Sequence, residues 1–441
     1  MLTGVIDNTD RPILFTVNKG DFLFTFMSDS IYEMGCPSDP IVLPNTDGYI
    51  FGRTHDNHRI AIYAGDECIK VHQTQKLNTG SYIVSKGNIM NRDFNDFVGI
   101  SFVGGSLSNI FRADRLDFDS GKLEARIKND YMSYEIDIDG EIIKISIESG
   151  ISISHDRSGS SLKNSDVTLT MTFDTPKKLN DIIKYYSAIK KTLSFMCFRK
   201  NVGFDRIYLL KDSEQFAGLK DSFGEVFIRD ERDIALKDWQ INICVADLKD
   251  SFPNLIKLFL DDKSSLAPII SFLPENDKDL YFISPSKVKE LCSALEAEYT
   301  FTTKEKREND ELLSSIKKTV RDDLSNFKKA NPDFPDSSYN SLVSSVENWS
   351  LSLRDRITYL RNKYAEELSL VNDSNINIDE NSIKGLVKYR NDVTHRGTAL
   401  LASPVTETAF YIQSIVYFSV LERIGVPREE IKGLCRYRLL R

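Results

Sequence analysis

The first 175 residues alternate apolar and polar positions over short stretches, a pattern typical of β-strands with one buried face. Residues 134–149 alternate around Asp139 and Gly140, which predicts a hairpin with a two-residue turn. The stretch 49–64 predicts a second hairpin, and further strands are predicted at 13–26, 97–103 and 167–173. We therefore predict an antiparallel, β-rich N-terminal domain, sandwich or barrel-like, at residues 1–175.

The apolar period lengthens after residue 176. Leu179, Ile182, Ile189 and Leu193 recur at helical spacing. Strand-like stretches follow at 206–210, 225–228 and 240–245, and helical stretches at 251–261 and 264–272. The segment 176–283 is thus predicted to be mixed α/β, either as a domain of its own or as the completion of the first.

Residues 284–441 carry the pattern of successive helices. Besides a first helix that begins near Pro285, helices are predicted at 307–329, 337–367, 381–398, 405–424 and 428–437, the second of these either continuous or broken into two. The predicted fold class is α+β multidomain, with a β-rich N-terminal domain, a mixed middle segment and a C-terminal all-α helical bundle.

Composition and charge narrow the functional classes. The chain is 41% hydrophobic and 28% charged, as in ordinary folded proteins. Its net charge of −8 argues against a protein that coats long nucleic acid through an overall basic surface, so any nucleic-acid contact would need a local basic patch.

The sequence also predicts a cytoplasmic protein with no membrane partner. Its six cysteines are far apart and form no C-x-x-C pair, which favours free thiols in a reducing compartment. The N-terminus lacks the basic and apolar regions of a signal peptide. The most apolar helix candidate, residues 409–424, is too short and too polar to span a bilayer.

One predicted helix near the C-terminus carries Arg390, Asn391 and His395. We expect it to begin at an Asn381 cap and to end at Gly397. Asn391 and His395 are four residues apart and share a face, whereas Arg390 and His395 are separated by about 140° around the axis.

These residue types suit the cleavage of RNA without a metal ion. The ribose 2′-hydroxyl is then the nucleophile, and histidine can act as base or acid near neutral pH. An arginine guanidinium can stabilise the charge that develops on the phosphate. A neutral asparagine can orient either partner without changing the net charge of the site.

Spacing alone does not identify such a site, because Arg53 and His58 are separated by the same interval. Those residues fall between two predicted strands, and we interpret them as a solvated hairpin turn. A metal site at His55, Asp56 and His58 is the alternative, and it would need a further ligand. For Arg390 and His395 a purely structural role on a bundle helix also remains open.

The asparagine after Arg390, the helical context and the position in a helical domain resemble the HEPN ribonuclease superfamily. The stretch from Lys388 to Gly397 resembles the HEPN domain of ApeA-like anti-phage proteins. In the β-rich half, the pattern from Gly52 to Tyr63 is similar to the N-terminal domain of the same family.

The resemblance implies a metal-independent endoribonuclease, with Arg390, Asn391 and His395 as catalytic residues and no cofactor. It implies a homodimer whose two motifs face one another, and it implies cleavage of cellular RNA such as tRNA in anti-phage defence. The N-terminal half would be a sensor or regulator, with a phage-derived trigger as a further partner.

RNA would need cations near this motif. One predicted helix carries Arg354, Arg356, Arg361 and Lys363. From the basic residues of the helical half we select as RNA-binding candidates Arg354, Arg361, Arg396, Arg436 and Arg438. The alternative function is a non-catalytic regulator, in which the β-rich half binds a ligand or phage protein and the bundle only dimerises.

Overall fold

The computed structural model describes residues 2–18, 20–26, 40–86, 94, 96–111, 116–119, 122–125, 130–149, 151–156, 159–164, 166–229, 243–261, 267–280, 282–303, 308–347, 352–371, 378–396 and 402–437. The chain forms two compact units, Met1–Asp262 and Lys263–Arg441. The β-rich first half and the helical second half are both confirmed.

Antiparallel strands dominate the first unit. Its strands are β1 (Leu2–Ile6), β2 (Ile13–Asn18), β3 (Asp21–Phe26), β4 (Ile41–Val42), β5 (Tyr49–Thr54), β6 (Arg59–Tyr63), β7 (Lys70–Val71), β8 (Thr74–Asn78), β9 (Ser81–Ser85), β10 (Asp96–Val103), β11 (Leu116–Asp119), β12 (Lys122–Ala125), β13 (Asp130–Ile138), β14 (Glu141–Ser149), β15 (Ile151–Asp156), β16 (Gly159–Asn164), β17 (Thr168–Lys178), β18 (Arg206–Asp212) and β19 (Lys220–Ile228). Its helices are α1 (Leu107–Ile110), α2 (Ile182–Cys197), α3 (Val245–Leu248) and α4 (Phe252–Leu260), with single 3₁₀ turns at Leu179–Asp181 and Lys249–Ser251.

Both predicted hairpins are confirmed. β13 pairs with β14 so that Ile138 faces Glu141, which leaves Asp139 and Gly140 as a two-residue turn. Both turn residues have positive φ, 54° and 88°, as the type I′ hairpin turn requires. β5 also pairs antiparallel with β6, and the longer turn between them contains Asn57 at a φ of 62°.

Within the described residues, thirteen of these strands form one antiparallel sheet. Its order is β13-β14-β17-β10-β18-β19-β9-β6-β5-β1-β2-β3-β8. β9 and β10 follow one another in the chain, yet β18 and β19 lie between them in the sheet. Residues 206–228 therefore belong to the same sheet as the N-terminal strands.

The predicted middle segment, 176–283, is thus divided between the two units. The second compact unit begins at residue 263. The strand expected at 240–245 also differs: residues 240–242 lie outside the described part, and Val245 begins α3. The carboxylate of Asp247 accepts a hydrogen bond from the Cys244 backbone N–H, which caps this helical turn.

Aromatic side chains fill the core between α2 and the sheet. Tyr185 of α2 contacts the rings of Phe97 on β10 and Phe173 on β17, with centroids 6.4 and 4.5 Å away. A second cluster lies among β1, β2, β3, β5, β6 and β8, and it includes the fully buried Phe15 and Phe24. Each large apolar side chain buried in this way contributes about 1.5–3 kcal/mol.

The second unit contains the remaining helices of the described chain. They are α5 (Ala267–Ser271), α6 (Pro285–Thr303), α7 (Glu308–Ala330), α8 (Asp336–Glu347), α9 (Leu353–Lys363), α10 (Ala365–Val371), α11 (Glu380–Arg396), α12 (Ser403–Arg423) and α13 (Arg428–Tyr437). A single 3₁₀ turn also lies at Asp277–Asp279. No described helix is long and apolar enough to cross a membrane.

The stretch 337–367 is divided among three helices, where one or two were expected. Ser352 caps α9 by accepting a hydrogen bond from the Asp355 backbone N–H, which starts a new helix. Tyr364 then ends α9 with φ −104° and ψ 23°, and its ring is buried while its hydroxyl bonds to Glu422. The buried Tyr364 thus lies at the break between α9 and α10.

Candidate active site

Helix α11 packs into the second unit through one apolar face. Ile383, Leu386 and Tyr389, spaced three residues apart, are buried on this face. The helix begins at Glu380 and is capped by Asp379, whose carboxylate accepts hydrogen bonds from the backbone N–H and the hydroxyl of Ser382. The expectation that Asn381 caps the helix is therefore wrong, because Asp379 precedes it and reaches the free N–H.

Of the three predicted catalytic residues, Arg390 has a side chain that contacts both a neighbouring helix and Asn391. Its side chain is 28% exposed and is directed towards α6, where its Nη2 lies 3.6 Å from Oε2 of Glu296. Its Nη1 donates a 3.2 Å hydrogen bond to Oδ1 of the neighbouring Asn391. Its Nε is buried and has no hydrogen-bond partner among the described residues. Arg390 thus retains a donor that its surroundings do not satisfy.

Glu296 on α6 interacts with a second arginine as well. Nη1 of Arg356, on α9, lies 3.6 Å from Oε1 of Glu296, while Arg390 approaches the other carboxylate oxygen. Helices α6, α9 and α11 contact one another pairwise, so three helices meet at this carboxylate. The Arg356 guanidinium also lies 5.6 Å from the ring centroid of Tyr299, one turn further along α6.

Both contacts of Glu296 are loose. At 3.6 Å they are beyond the normal length of a hydrogen bond, so attraction between charges is the main interaction. Glu296 is 31% exposed and Arg356 is 16% exposed, so solvent reaches part of this cluster. A carboxylate held this way can be displaced by a competing anion at modest cost.

Two other ion pairs in this unit are much tighter. Glu367 is 0% exposed and accepts two 2.8 Å hydrogen bonds from Arg428. Glu298 is also 0% exposed and lies 3.0 Å from Arg423. Burial raises the pKa of Glu298 to about 7, and the nearby Arg423 only partly offsets that effect. These pairs hold helices together, in contrast to the open pair at Arg390.

A buried thiol lies one turn before Glu296. Burial raises the pKa of Cys292 to about 12, although the charge of Arg390 acts in the opposite direction. The thiol therefore stays protonated at neutral pH and is a poor nucleophile. Cys68, Cys197, Cys244 and Cys435 are free thiols too, and Cys36 lies outside the described residues.

The other predicted site residues lie on α9, in the last turn of α11 and near the C-terminal end of the chain. Arg354 lies 2.5 Å from the carboxylate of Glu380, and Arg361 donates a 3.0 Å hydrogen bond to the carbonyl of Ile378. Both therefore connect α9 to the start of α11. His395 and Arg396 belong to the last turn of α11, and Arg436 belongs to that of α13. The side chains of these three, and all of Arg438, lie outside the described part.

The alternative metal site at the β5–β6 turn gains no support. His58 donates its backbone N–H to the Thr54 hydroxyl and its carbonyl accepts from the Thr54 N–H, which closes the turn. No group of three potential metal ligands is found among the described residues, and these include His55, Asp56 and His58. Arg53 and His58, which have the same spacing as Arg390 and His395, therefore lie at a hairpin turn, as predicted.

Sequence reasoning missed Glu296. It belongs to a helix far earlier in the chain than Arg390, and no local pattern around it differs from an ordinary half-exposed helix position. Arg356 was grouped with its basic neighbours, and only the shared contact with Glu296 distinguishes it. Comparison of the chain with protein-family models, curated proteins and solved structures gave no match.

Proposed function

We propose that this chain is a metal-independent endoribonuclease of the HEPN type, with Arg390, Asn391 and His395 as its catalytic residues. The observation that carries the proposal is the state of Arg390. It is half-buried on a continuous helix with the other two residues, holds Asn391, and retains an unpaired Nε. A guanidinium that is positioned but incompletely bonded is suited to receive a phosphate.

In the proposed reaction the ribose 2′-oxygen attacks the adjacent phosphorus while a base removes its proton. The bond from phosphorus to the 5′-oxygen breaks, and an acid returns a proton to that oxygen. The products are a 2′,3′-cyclic phosphate and a 5′-hydroxyl. His395 would serve as acid or base, Arg390 would stabilise the charge on the phosphorane, and Asn391 would fix Arg390 through their hydrogen bond.

A dimer would complete this site. Five residues of α-helix separate Arg390 from His395, which corresponds to about 7.5 Å of rise and about 140° of rotation. One helix thus presents the two positions on different sides. In a symmetric pair, His395 of one copy could act beside Arg390 of the other.

The resemblance to ApeA-like proteins supplies the biological part of the proposal. Cellular RNA such as tRNA would be the substrate, and cleavage in the cytoplasm would halt growth of a phage-infected cell. The β-rich unit would sense a phage-derived trigger or restrain the nuclease. Its large antiparallel sheet is compatible with either role.

One observation favours the non-catalytic alternative. Glu296 already provides Arg390 with a countercharge, as expected for an arginine that only links helices. In that case the helical unit would dimerise without cleaving RNA, and the β-rich unit would carry the function by binding a ligand or phage protein.

The test is RNA cleavage in the presence of EDTA by the wild-type protein and by His395→Ala. We expect the wild type to yield cyclic-phosphate ends and the variant to lose activity by about 10²–10⁴-fold. The control is His72→Ala, which removes an exposed histidine from the first unit. Equal cleavage by wild type and His395→Ala would disprove the catalytic assignment, and inactivity of the wild type on every RNA would favour the regulator.

A further inference from the structure

We infer that Arg356 is a second phosphate-binding residue and that the carboxylate of Glu296 occupies, in the free protein, the position an RNA phosphate takes. This inference rests on the proposed function and concerns the same site. It assigns to Arg356 and Glu296 roles that the Arg390–His395 motif does not include.

The geometry around Glu296 is that of an anion between two cations. Its two carboxylate oxygens each lie 3.6 Å from a different guanidinium, one on α9 and one on α11. A phosphodiester also presents two charged oxygens, and arginine pairs with carboxylate and phosphate through the same fork of donors. Arginines from two helices that converge on one carboxylate can therefore converge on one phosphate.

The length of the contacts indicates that the carboxylate can be exchanged. The buried pairs of the same unit have distances of 2.8 and 3.0 Å, whereas both contacts of Glu296 are 3.6 Å. The buried Nε of Arg390 has no hydrogen-bond partner among the described residues, so Glu296 does not satisfy all the donors of this guanidinium. A phosphate in the position of the Glu296 carboxylate would lie between the same two guanidinium groups.

Arg356 is already oriented for such a role. It is only 16% exposed and its guanidinium lies against the Tyr299 ring, which in turn contacts Tyr359 at a centroid distance of 5.5 Å. These contacts reduce the entropy that a long side chain loses when it binds. Phosphate binding through Arg356 therefore needs little rearrangement beyond the departure of Glu296.

The experiment measures binding rather than cleavage. The probe is a fluorescein-labelled 2′-O-methyl oligouridine, which presents phosphodiesters but has no 2′-hydroxyl to act as nucleophile. Fluorescence anisotropy at low salt gives its Kd for wild type, Glu296→Gln, Arg356→Gln and the double variant. Charge-matched controls on the same helix as Glu296 are Glu290→Gln and Lys289→Gln, and circular dichroism checks that each variant folds.

Glu296→Gln should bind about 2- to 30-fold more tightly than wild type, because the phosphate no longer competes with two ion pairs. Arg356→Gln should bind about tenfold more weakly or worse, and the double variant should lose the gain of Glu296→Gln. Each control should change Kd by less than about twofold.

Unchanged or weaker binding by Glu296→Gln overturns the inference, as does an Arg356→Gln variant that behaves like Lys289→Gln. The outcome is separable from that of the proposed function. A protein that cleaves no RNA can still show these binding changes, and a protein that cleaves RNA through His395 can fail to show them.

Discussion

Replacing Glu298 with glutamine should make the stability of the helical unit less dependent on pH. Glu298 is fully buried on α6, and only one of its carboxylate oxygens meets Arg423 of α12. The other oxygen, Oε2, has no hydrogen-bond partner among the described residues. The charged form of this side chain is therefore incompletely compensated in the folded protein.

The magnitude follows from the pKa of Glu298, which burial raises from 4.5 to about 7. Because the folded state binds the proton more tightly than the unfolded state, the protein loses stability as pH rises from 4.5 through 7. At about 1.4 kcal/mol per pKa unit the full loss is about 3 kcal/mol, of which roughly 2–3 kcal/mol falls between about pH 5 and about pH 8.

The assay is urea denaturation followed by circular dichroism at a helical wavelength, at about pH 5 and about pH 8. In Glu298→Gln, Arg423 has no countercharge at either pH, and residue 298 no longer titrates. The free energy of unfolding of this variant relative to wild type should therefore rise by about 2–3 kcal/mol from the lower to the higher pH. The control is Leu295→Ala, in the same core, which should lower the free energy of unfolding by about 2–5 kcal/mol at both pH values. The reasoning would be refuted if the difference in free energy of unfolding between wild type and Glu298→Gln were the same, within about 0.5 kcal/mol, at both pH values.

Three further outcomes are expected. Arg428→Met removes both hydrogen bonds to the buried Glu367, so it should cost about 3–5 kcal/mol, measured as a lower urea midpoint of the helical transition. Gly140→Ala has open space for its methyl group but a φ of 88°, so only backbone strain of about 1–2 kcal/mol should appear in the free energy of unfolding. Arg390→Lys should lower RNA cleavage by about tenfold or more, because an ammonium cannot bond to Asn391 and a phosphate in the same geometry; wild-type rates for this variant would contradict a role for the guanidinium.

Local patterns predicted the elements of this fold well. Asp139 and Gly140 determine a hairpin turn by their own backbone preferences, so the β13–β14 hairpin is readable from sequence. Helix α11 is likewise defined by its apolar face, although Asp379 rather than Asn381 caps it. These features depend on residues within a few positions of one another.

Features that depend on distant residues could not be predicted. The insertion of β18 and β19 between β9 and β10 results from pairing across more than a hundred residues, and alternation within a strand does not specify its neighbour. At the candidate site, the motif named Arg390 but not Glu296 or Arg356, because their relation arises only when α6, α9 and α11 pack together. The expectation for His395 stays a prediction.

The sheet order also has a consequence for how the chain is made. A ribosome releases β9 and β10 early, but neither can acquire its neighbour on one side until β18 and β19 have emerged. Sheets that wait for such distant partners form slowly. During this interval the edges of these strands expose unpaired backbone N–H and C=O groups, which favour aggregation. Because α11 is translated later still, all the described strands of the β-rich unit are synthesised before the proposed catalytic motif.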